Sequence, residues 1–378
     1  MAELKTTCNT KKEIWSQPGL WEKVYTAIVA NKQSLQAFLS KALQPENLHI
    51  ILTGAGTSAF VGLSLTGSYY RNTKKHTTAI STTDLVTHPL DYMNSENPVL
   101  LISFARSGNS PESVAAVRIA DEVCTKVFHL IISCDKTGEL ANYKTASEKY
   151  VFVLPDEAND KGLAMTGSYS GMLLAGLLIG QINDIENTAG SIETLVRYGH
   201  KLLGKSDFFS VVAGMDFERA VFLGSGPLFG TATESHLKLQ ELTDGTIICK
   251  NDSFLGLRHG PKAVINNKTL VVMFLSNQHY VKPYEEDLIE SLKDGQKPLF
   301  TLGITENGNT KEKLDHLIVL SDDGKNLDEE YLPVCYILLA QMIAYFKSLG
   351  LGLNPDSPSE SGAINRVVQG VTIYPFKK

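Results

Sequence analysis

Cysteine is scarce in this chain. Five cysteines stand among 378 residues, at Cys8, Cys124, Cys134, Cys249 and Cys335, odd in number, widely spaced and without a Cys-x-x-Cys pair. That argues against a disulfide framework and a thiolate zinc site, and fits a reducing, cytoplasmic compartment. An excess of one charge is also lacking: 35 basic against 41 acidic residues leave a net −6. With no basic block or aromatic–basic stripe, no nucleic-acid partner is expected. A bound anion must then be held by a local site, not by the overall field. The longest apolar runs, GMLLAGLLIG (171–180) and YLPVCYILLAQMIAYF (331–346), are too short or too interrupted to span a bilayer. They read as buried helices, so no membrane is expected. The N-terminus, MAELKTTCNTKKE, has no apolar core of a signal peptide. No cluster of metal-ligating residues stands out, and no metal or other cofactor is called for.

What is present is a repeat. HIILTGAGTSAFVGLSL (49–65) resembles AVFLGSGPLFGTATESH (220–236), and Gly54 and Gly56 fall 170 residues before Gly224 and Gly226. The same offset carries VLLISFARS (99–107) onto TLVVMFLSN (269–277) and VFHLIIS (127–133) onto KPLFTLG (297–303). An ordered series at nearly one offset implies two copies of one unit. Each copy alternates short Val/Ile/Leu runs with helical patterns, the signature of parallel sheets covered on both faces. The expected architecture is α/β: two tandem doubly wound, flavodoxin-like three-layer units. We expect an N-terminal helical segment over 1–45, a first unit over 46–200, a second over 201–350, and a tail over 351–378. The tail is rich in Pro, Ser and Gly, hence loop, but VVQGVTIYPF is apolar enough to pack back on the body.

Chemistry concentrates in four stretches. LLISFARSGNSPESVAAV (100–117) reads as a buried strand, a tight polar turn and a helix opened by Pro111. A helix N-terminus attracts anions, so Arg106, Ser107, Asn109 and Ser110 suggest a phosphate. The blander reading makes Ser110 a mere N-cap. GAGTSA (54–59) first suggests a dinucleotide fingerprint, but a lone G-x-G-x-x-A is weak. Thr57 and Ser58 after Gly56 suit a phosphate or a sugar equally. The second copy keeps Gly-Ser-Gly but has LSNQHYVKPYE where the first has ARSGNSPES, so the copies have diverged. Glu234, Lys238 and Glu241 share one helix face. An exposed Glu–Lys pair contributes little, but Leu237, Leu239 and Leu242 suggest a buried helix, where such a row suits pKa tuning. In LGLRHGPKAVI, His259 titrates near neutrality and can act as acid and base.

In this order, GAGTSA, SFARSGNSPES, ESxxKxxEL and RHGPK resemble the sugar isomerase (SIS) domain family. More narrowly, TTDLVTHPLDYMN, FLGLRHGPK and SGAINRVVQGV resemble the branch of tagatose-6-phosphate ketose/aldose isomerases and galactosamine-6-phosphate isomerising deaminases. The likeness runs from about Glu13 to Pro375. It implies that Gly56, Thr57 and Ser58, with the segment ending at Thr166, contact a sugar, and that residues 105–110 hold its phosphate. By the same likeness Glu241 is the base that moves a proton between C1 and C2, with Glu234 and Lys238 as partners. His259 opens the sugar ring from a neighbouring subunit, making the protein a homodimer or higher oligomer. The family's C-terminal Schiff-base lysine has no counterpart; Arg366 and Gln369 stand there, with Arg366 a candidate substrate contact. The implied reaction takes galactosamine 6-phosphate to tagatose 6-phosphate and ammonia. The alternatives are a plain aldose–ketose isomerase and a non-catalytic sugar-phosphate sensor, which needs neither Glu241 nor His259.

Overall fold

In a computed structural model of the chain, three helices precede the first strand: α1 (Asn9–Trp15), α2 (Gln17–Ala30) and α3 (Lys32–Ala42). The structure describes residues 8–308, 314–324, 326–360, 362–368 and 370–376; Gln369 lies outside them. The chain then alternates: β1 (His49–Thr53), α4 (Thr57–Thr73), β2 (His76–Ala79), α5 (Thr82–Thr87), α6 (Pro89–Tyr92), β3 (Val99–Ala105), α7 (Pro111–Val123), β4 (Val127–Ser133), β5 (Glu148–Val153) and α8 (Gly167–Gly180). After α9 (Ala189–Leu203) and α10 (Ser206–Ala213) the alternation resumes. It runs through β6 (Arg219–Leu223), α11 (Pro227–Leu242), β7 (Ile248–Asp252), α12 (Phe254–Leu257), β8 (Thr269–Phe274), α13 (Lys282–Ser291), β9 (Phe300–Thr305), β10 (His316–Val319) and α14 (Leu332–Gly350).

Two compact units result. The first comprises Gly19–Asp160, Gly167–Ile192 and Ile364–Lys378; the second comprises Met1–Pro18, Lys161–Thr166 and Glu193–Ala363. The first holds a parallel sheet in the order β2-β1-β3-β4-β5, and the second a parallel sheet in the order β10-β9-β8-β6-β7. Read from β7, the second order is the first one repeated, and both are the doubly wound 2-1-3-4-5 arrangement. The Val/Ile/Leu runs predict this: β3, β4 and β8 are buried along their whole length, as strands covered on both faces must be.

Each unit buries one apolar helix in its interior. In the first this is α8, buried from Gly167 to Ile179. Gly176 lets it approach α4: a Cβ there would sit 2.5 Å from Leu65 Cδ1, and Tyr69 Oη donates to the Gly176 carbonyl at 2.9 Å. In the second it is α14, which packs on α11 and α10. Here the sequence argument needs correction. The stretch Glu329–Gly350 is long and apolar enough to cross a membrane, and 89% of its 18-residue apolar window is buried inside the protein. Its burial, rather than its length, makes it a core helix. A smaller difference is that β9 begins at Phe300, three residues beyond the Lys297 start suggested by the repeat.

The duplication is clearest at the glycine turns. Gly56 has φ 54° and ψ −126°; Gly226 has φ 56° and ψ −130°. Positive φ with extended ψ is a glycine conformation. Two residues earlier, a Cβ on Gly54 would lie 2.5 Å from the Ser58 backbone, and one on Gly224 2.3 Å from the Leu228 carbonyl oxygen. Both glycines of each pair are therefore demanded by the sharp strand-to-helix turn.

Candidate functional site

In a 2-1-3-4-5 sheet the strand order reverses between β1 and β3, and ligands bind in the crevice beyond their carboxyl ends. In the first unit β1 and β3 are hydrogen-bonded neighbours, with Thr53 opposite Ser103. The turn at Gly56, Thr57 and Ser58 and the turn at 106–110 therefore flank one crevice. Thr57 and Ser58 are buried, Ser107 and Ser110 half-buried, and Asn109 exposed. Ser110 is the N-cap of α7 with Pro111 behind it, yet its side chain makes no cap hydrogen bond. Ser110 thus holds the N-cap position, as the blander reading has it, while its hydroxyl is not hydrogen-bonded to its own helix.

The serine turn is braced by a segment that sequence reasoning missed. Gly108 takes φ 67°, its carbonyl accepts from Leu140 N at 2.9 Å, and Asn109 Oδ1 accepts from Glu139 N at 3.0 Å. Between them, Gly138 lies against the turn: a Cβ there would fall 2.2 Å from the Ser107 carbonyl oxygen. Gly138→Ala must push the turn out of shape. We expect it to weaken inorganic phosphate binding by roughly tenfold or more, the loss of one hydrogen bond to a charged group, as read by titration calorimetry.

Arg106 and Arg366 are brought together. Arg106 is 7% exposed, and its Nη2 donates to the Arg366 carbonyl. Arg366 in turn donates from Nε to the Asp160 carbonyl and from Nη2 to Asn159 Oδ1, both at 2.9 Å. Asp160 anchors the start of α8, accepting from Gly167 N at 3.1 Å and Ser168 N at 2.9 Å. The tail is thus tied to the arginine of the serine turn, and further on Phe376 packs on the apolar cluster that includes Leu101, Val117 and Ile131.

In the second unit the Glu–Lys–Glu row lies on α11, against α14. Glu234 and Lys238 are fully buried. Lys238 Nζ sits 3.4 Å from Glu234 and 2.5 Å from Glu241, whose side chain keeps 23% of its surface exposed. One buried ammonium is shared by two carboxylates, and Glu241 is the member of the row that reaches solvent. Thr166 falls in this unit as well. It is buried, and its carbonyl accepts from Gln341 of α14 at 3.3 Å. His259 is exposed on the turn after α12, ahead of Gly260 at φ 108°. Among the described residues it makes no hydrogen bond or ion pair with the row. Lys262 Nζ fastens this turn by donating to the Ser291 carbonyl at the end of α13. Among the described residues, no three His, Cys, Asp or Glu side chains converge as a metal site.

A second carboxylate group was not visible in the sequence. Beyond β8, Ser276 N donates to both oxygens of Glu285, at 3.1 and 3.2 Å, and Ser276 Oγ donates to Glu329. Glu285 is 2% exposed. Burial pushes its carboxyl up to about 8 against the lowering effect of the Ser276 N–H, and Glu329 adds to the rise. The unfolded chain loses this proton near pH 4.5, the folded chain near 8. Between those values the folded state binds more protons, so stability falls as pH rises and levels off above 8. Glu285→Gln is expected to flatten that decline, measured by urea unfolding from pH 5 to 9.

A model of the SIS domain matches residues 42–180, the stretch that forms most of the first unit. D-galactosamine-6-phosphate deaminase AgaS of Escherichia coli O157:H7 is 40% identical over 370 residues, covering 97% of this chain and 96% of that protein. The crystal structure of tagatose-6-phosphate ketose/aldose isomerase from Escherichia coli superposes with a TM-score of 0.89 at 36% identity, covering 98% of each chain. The C-terminal domain of glucosamine-fructose-6-phosphate aminotransferase from Francisella tularensis shares the fold, with a TM-score of 0.78 at 18% identity over 93% of this chain and 99% of that one. This chain belongs to the SIS-domain family, among the relatives of AgaS.

Proposed function

We propose that this protein is an isomerising deaminase converting galactosamine 6-phosphate to tagatose 6-phosphate and ammonia. The observation that carries the reading is the Glu234–Lys238–Glu241 row, in a chain 40% identical along its length to a D-galactosamine-6-phosphate deaminase. Two buried charges fix the orientation of one solvent-reaching carboxylate, which is what a base working at two adjacent carbons requires.

In this reading the phosphate is held by Ser107, Ser110 and the N-terminus of α7, with Asn109 as the brace of that turn. Thr57, Ser58 and Thr166 contact the sugar, and Arg106 with Arg366 keeps the tail against the serine turn. His259 protonates the ring oxygen as the sugar opens. Glu241 then removes the C2 proton, and the C1 carbonyl oxygen takes up a proton, giving an enaminol. Glu241 returns its proton at C1, which leaves a C2 ketimine. Water adds to C2, ammonia departs, and the product is the ketose 6-phosphate. With a hydroxyl at C2 the same proton transfers give aldose–ketose isomerisation, the activity named for the Escherichia coli structure.

The test is ammonia release from galactosamine 6-phosphate, with glucosamine 6-phosphate in parallel. Release from the galacto sugar supports the reading and fixes the epimer. Release from neither, with tagatose 6-phosphate isomerised, replaces it by the plain isomerase.

The exposed position of His259 supports a site completed by a second copy of this chain. Mixing Glu241→Gln protein with His259→Ala protein should then restore activity. In a C2 dimer that exchanges subunits freely, half the molecules are hybrids with one intact site, so about a quarter of wild-type activity is expected. No recovery would place both residues in one subunit's site. Four of the five cysteines are buried and all five are free, which supports a cytoplasmic location.

A further inference from the structure

The 138–140 brace behind the serine turn belongs to the loop between β4 and β5, and the far end of that loop is fastened to α7. We propose that Asp121, in the last turn of α7, is a positioning residue for the serine turn: its carboxylate clasps this loop, and the loop sets the shape of residues 106–110. The proposal rests on the reading of that turn as the phosphate holder.

Asp121 gathers three side chains. Its Oδ2 accepts from Tyr143 Oη at 2.8 Å, and its Oδ1 accepts from Ser147 Oγ at 2.8 Å. Oδ1 also lies 3.0 Å from Nε2 of His129, a fully buried residue of β4. Two of these three contacts come from the loop. Between its ends the loop is cross-tied. Asn142 Nδ2 donates to the carbonyls of Lys136 and Gly138, at 3.0 and 2.9 Å. Tyr143 N donates to the Leu140 carbonyl at 3.3 Å, and Lys149 Nζ to the Tyr143 carbonyl. Leu140 itself is fully buried in the apolar cluster with Val117 and Ala120 of α7. The near end is Leu140 N on the Gly108 carbonyl and Glu139 N on Asn109 Oδ1, with Gly138 against Ser107. The loop therefore follows α7 from Asp121 to the serine turn, about 16 Å for eleven residues of helix, tied at both ends. Because the Ser110 hydroxyl has no bond to its own helix, the turn depends on this neighbour for its shape. Released at Asp121, the loop no longer holds Gly138 at one place against the Ser107 carbonyl. Groups that must converge on one anion lose affinity when the shell behind them is loosened.

The variant is Tyr143→Phe with Ser147→Ala, which frees the loop and leaves Asp121 its contact with His129. It is expected to raise the Kd for inorganic phosphate, read by titration calorimetry, roughly three- to tenfold, the size of coupling carried through packed networks. KM for galactosamine 6-phosphate should rise with it while kcat stays unchanged, as for uniform binding. Amide exchange over residues 105–111, read by mass spectrometry, should quicken. In Gly138→Ala protein the same two changes should add little, because the brace is already displaced. A Kd within twofold of wild type overturns the proposal even if the melting temperature falls, since a merely structural network moves stability alone. So do effects that add in full to those of Gly138→Ala. Should the double variant not fold, Tyr143→Phe alone, which keeps its ring on the apolar cluster, carries the same test. A wild type that binds no phosphate defeats the reading of the serine turn instead. The exchange over 105–111 then decides the clasp by itself, quickened exchange supporting it and unchanged exchange overturning it.

Discussion

Glu241→Gln is expected to lower kcat for ammonia release by about 10²–10⁴-fold, the usual contribution of a positioned general base. KM should change little, because glutamine keeps the shape of the side chain and can still accept from Lys238. The row makes this the sharpest substitution available. Glu234 and Lys238 are buried and hold each other, so the change at Glu241 removes a proton acceptor without emptying the interior. Steady-state kinetics with galactosamine 6-phosphate separate the outcomes: an interaction made only in the transition state appears in kcat, and uniform binding appears in KM. A normal kcat with a raised KM would make Glu241 a substrate contact and move the base elsewhere.

Lys238→Met should unfold the second unit more than any surface change. Lys238 is the shared cation of two carboxylates, one of them fully buried. Removing one partner of a buried pair costs about 3–5 kcal/mol, because the other is left uncompensated. For a unit of this size that is a fall in melting temperature on the order of 10 °C. Replacing Glu234 by Gln in the same chain removes the stranded charge, so the double variant should recover most of the melting temperature. Its activity should stay low, since Glu241 has lost the group that orients it. Calorimetry on the wild type, the single and the double variant decides the matter. A Lys238→Met protein within about 1 kcal/mol of wild type would mean that water reaches the row and that its charges are solvated.

The elements that could be read from the sequence are those set by local geometry. Gly54, Gly56, Gly224 and Gly226 announce their turns because only glycine tolerates that φ and that closeness. Pro111 marks the start of α7, and the continuous apolar runs mark β3, β4 and β8. What could not be read depends on contacts through space. Gly138 meets Ser107 across 31 residues of chain, and Asn109 meets Glu139 across 30. Glu285 is only nine residues from Ser276, yet LSNQHYVKPYE shows itself only as a missing serine turn. That the loop bends a carboxylate back onto its own backbone is decided by the packing of α13 on the sheet. The length of α14 misled for a related reason: composition measures how apolar a helix is, and its neighbours decide what covers it.

The way the chain threads its two units constrains the order in which it can be built on the ribosome. α1 is made well before its partners: Trp15 meets Tyr345 of α14 edge to face at 5.8 Å, and Thr10 Oγ1 donates to Asp356 Oδ1 at 2.7 Å. Phe376, beyond α14 in the chain, packs on the apolar cluster of the first unit. Closing loops of more than 300 residues is slow relative to local folding, and domains otherwise tend to fold as they emerge, N-terminal first. Here each unit waits for residues translated long after its first strand. Until those residues emerge, the nascent chain carries one sheet without Phe376 and a helix α1 with nothing to dock on, so termination anywhere before Asp356 leaves both units unfinished.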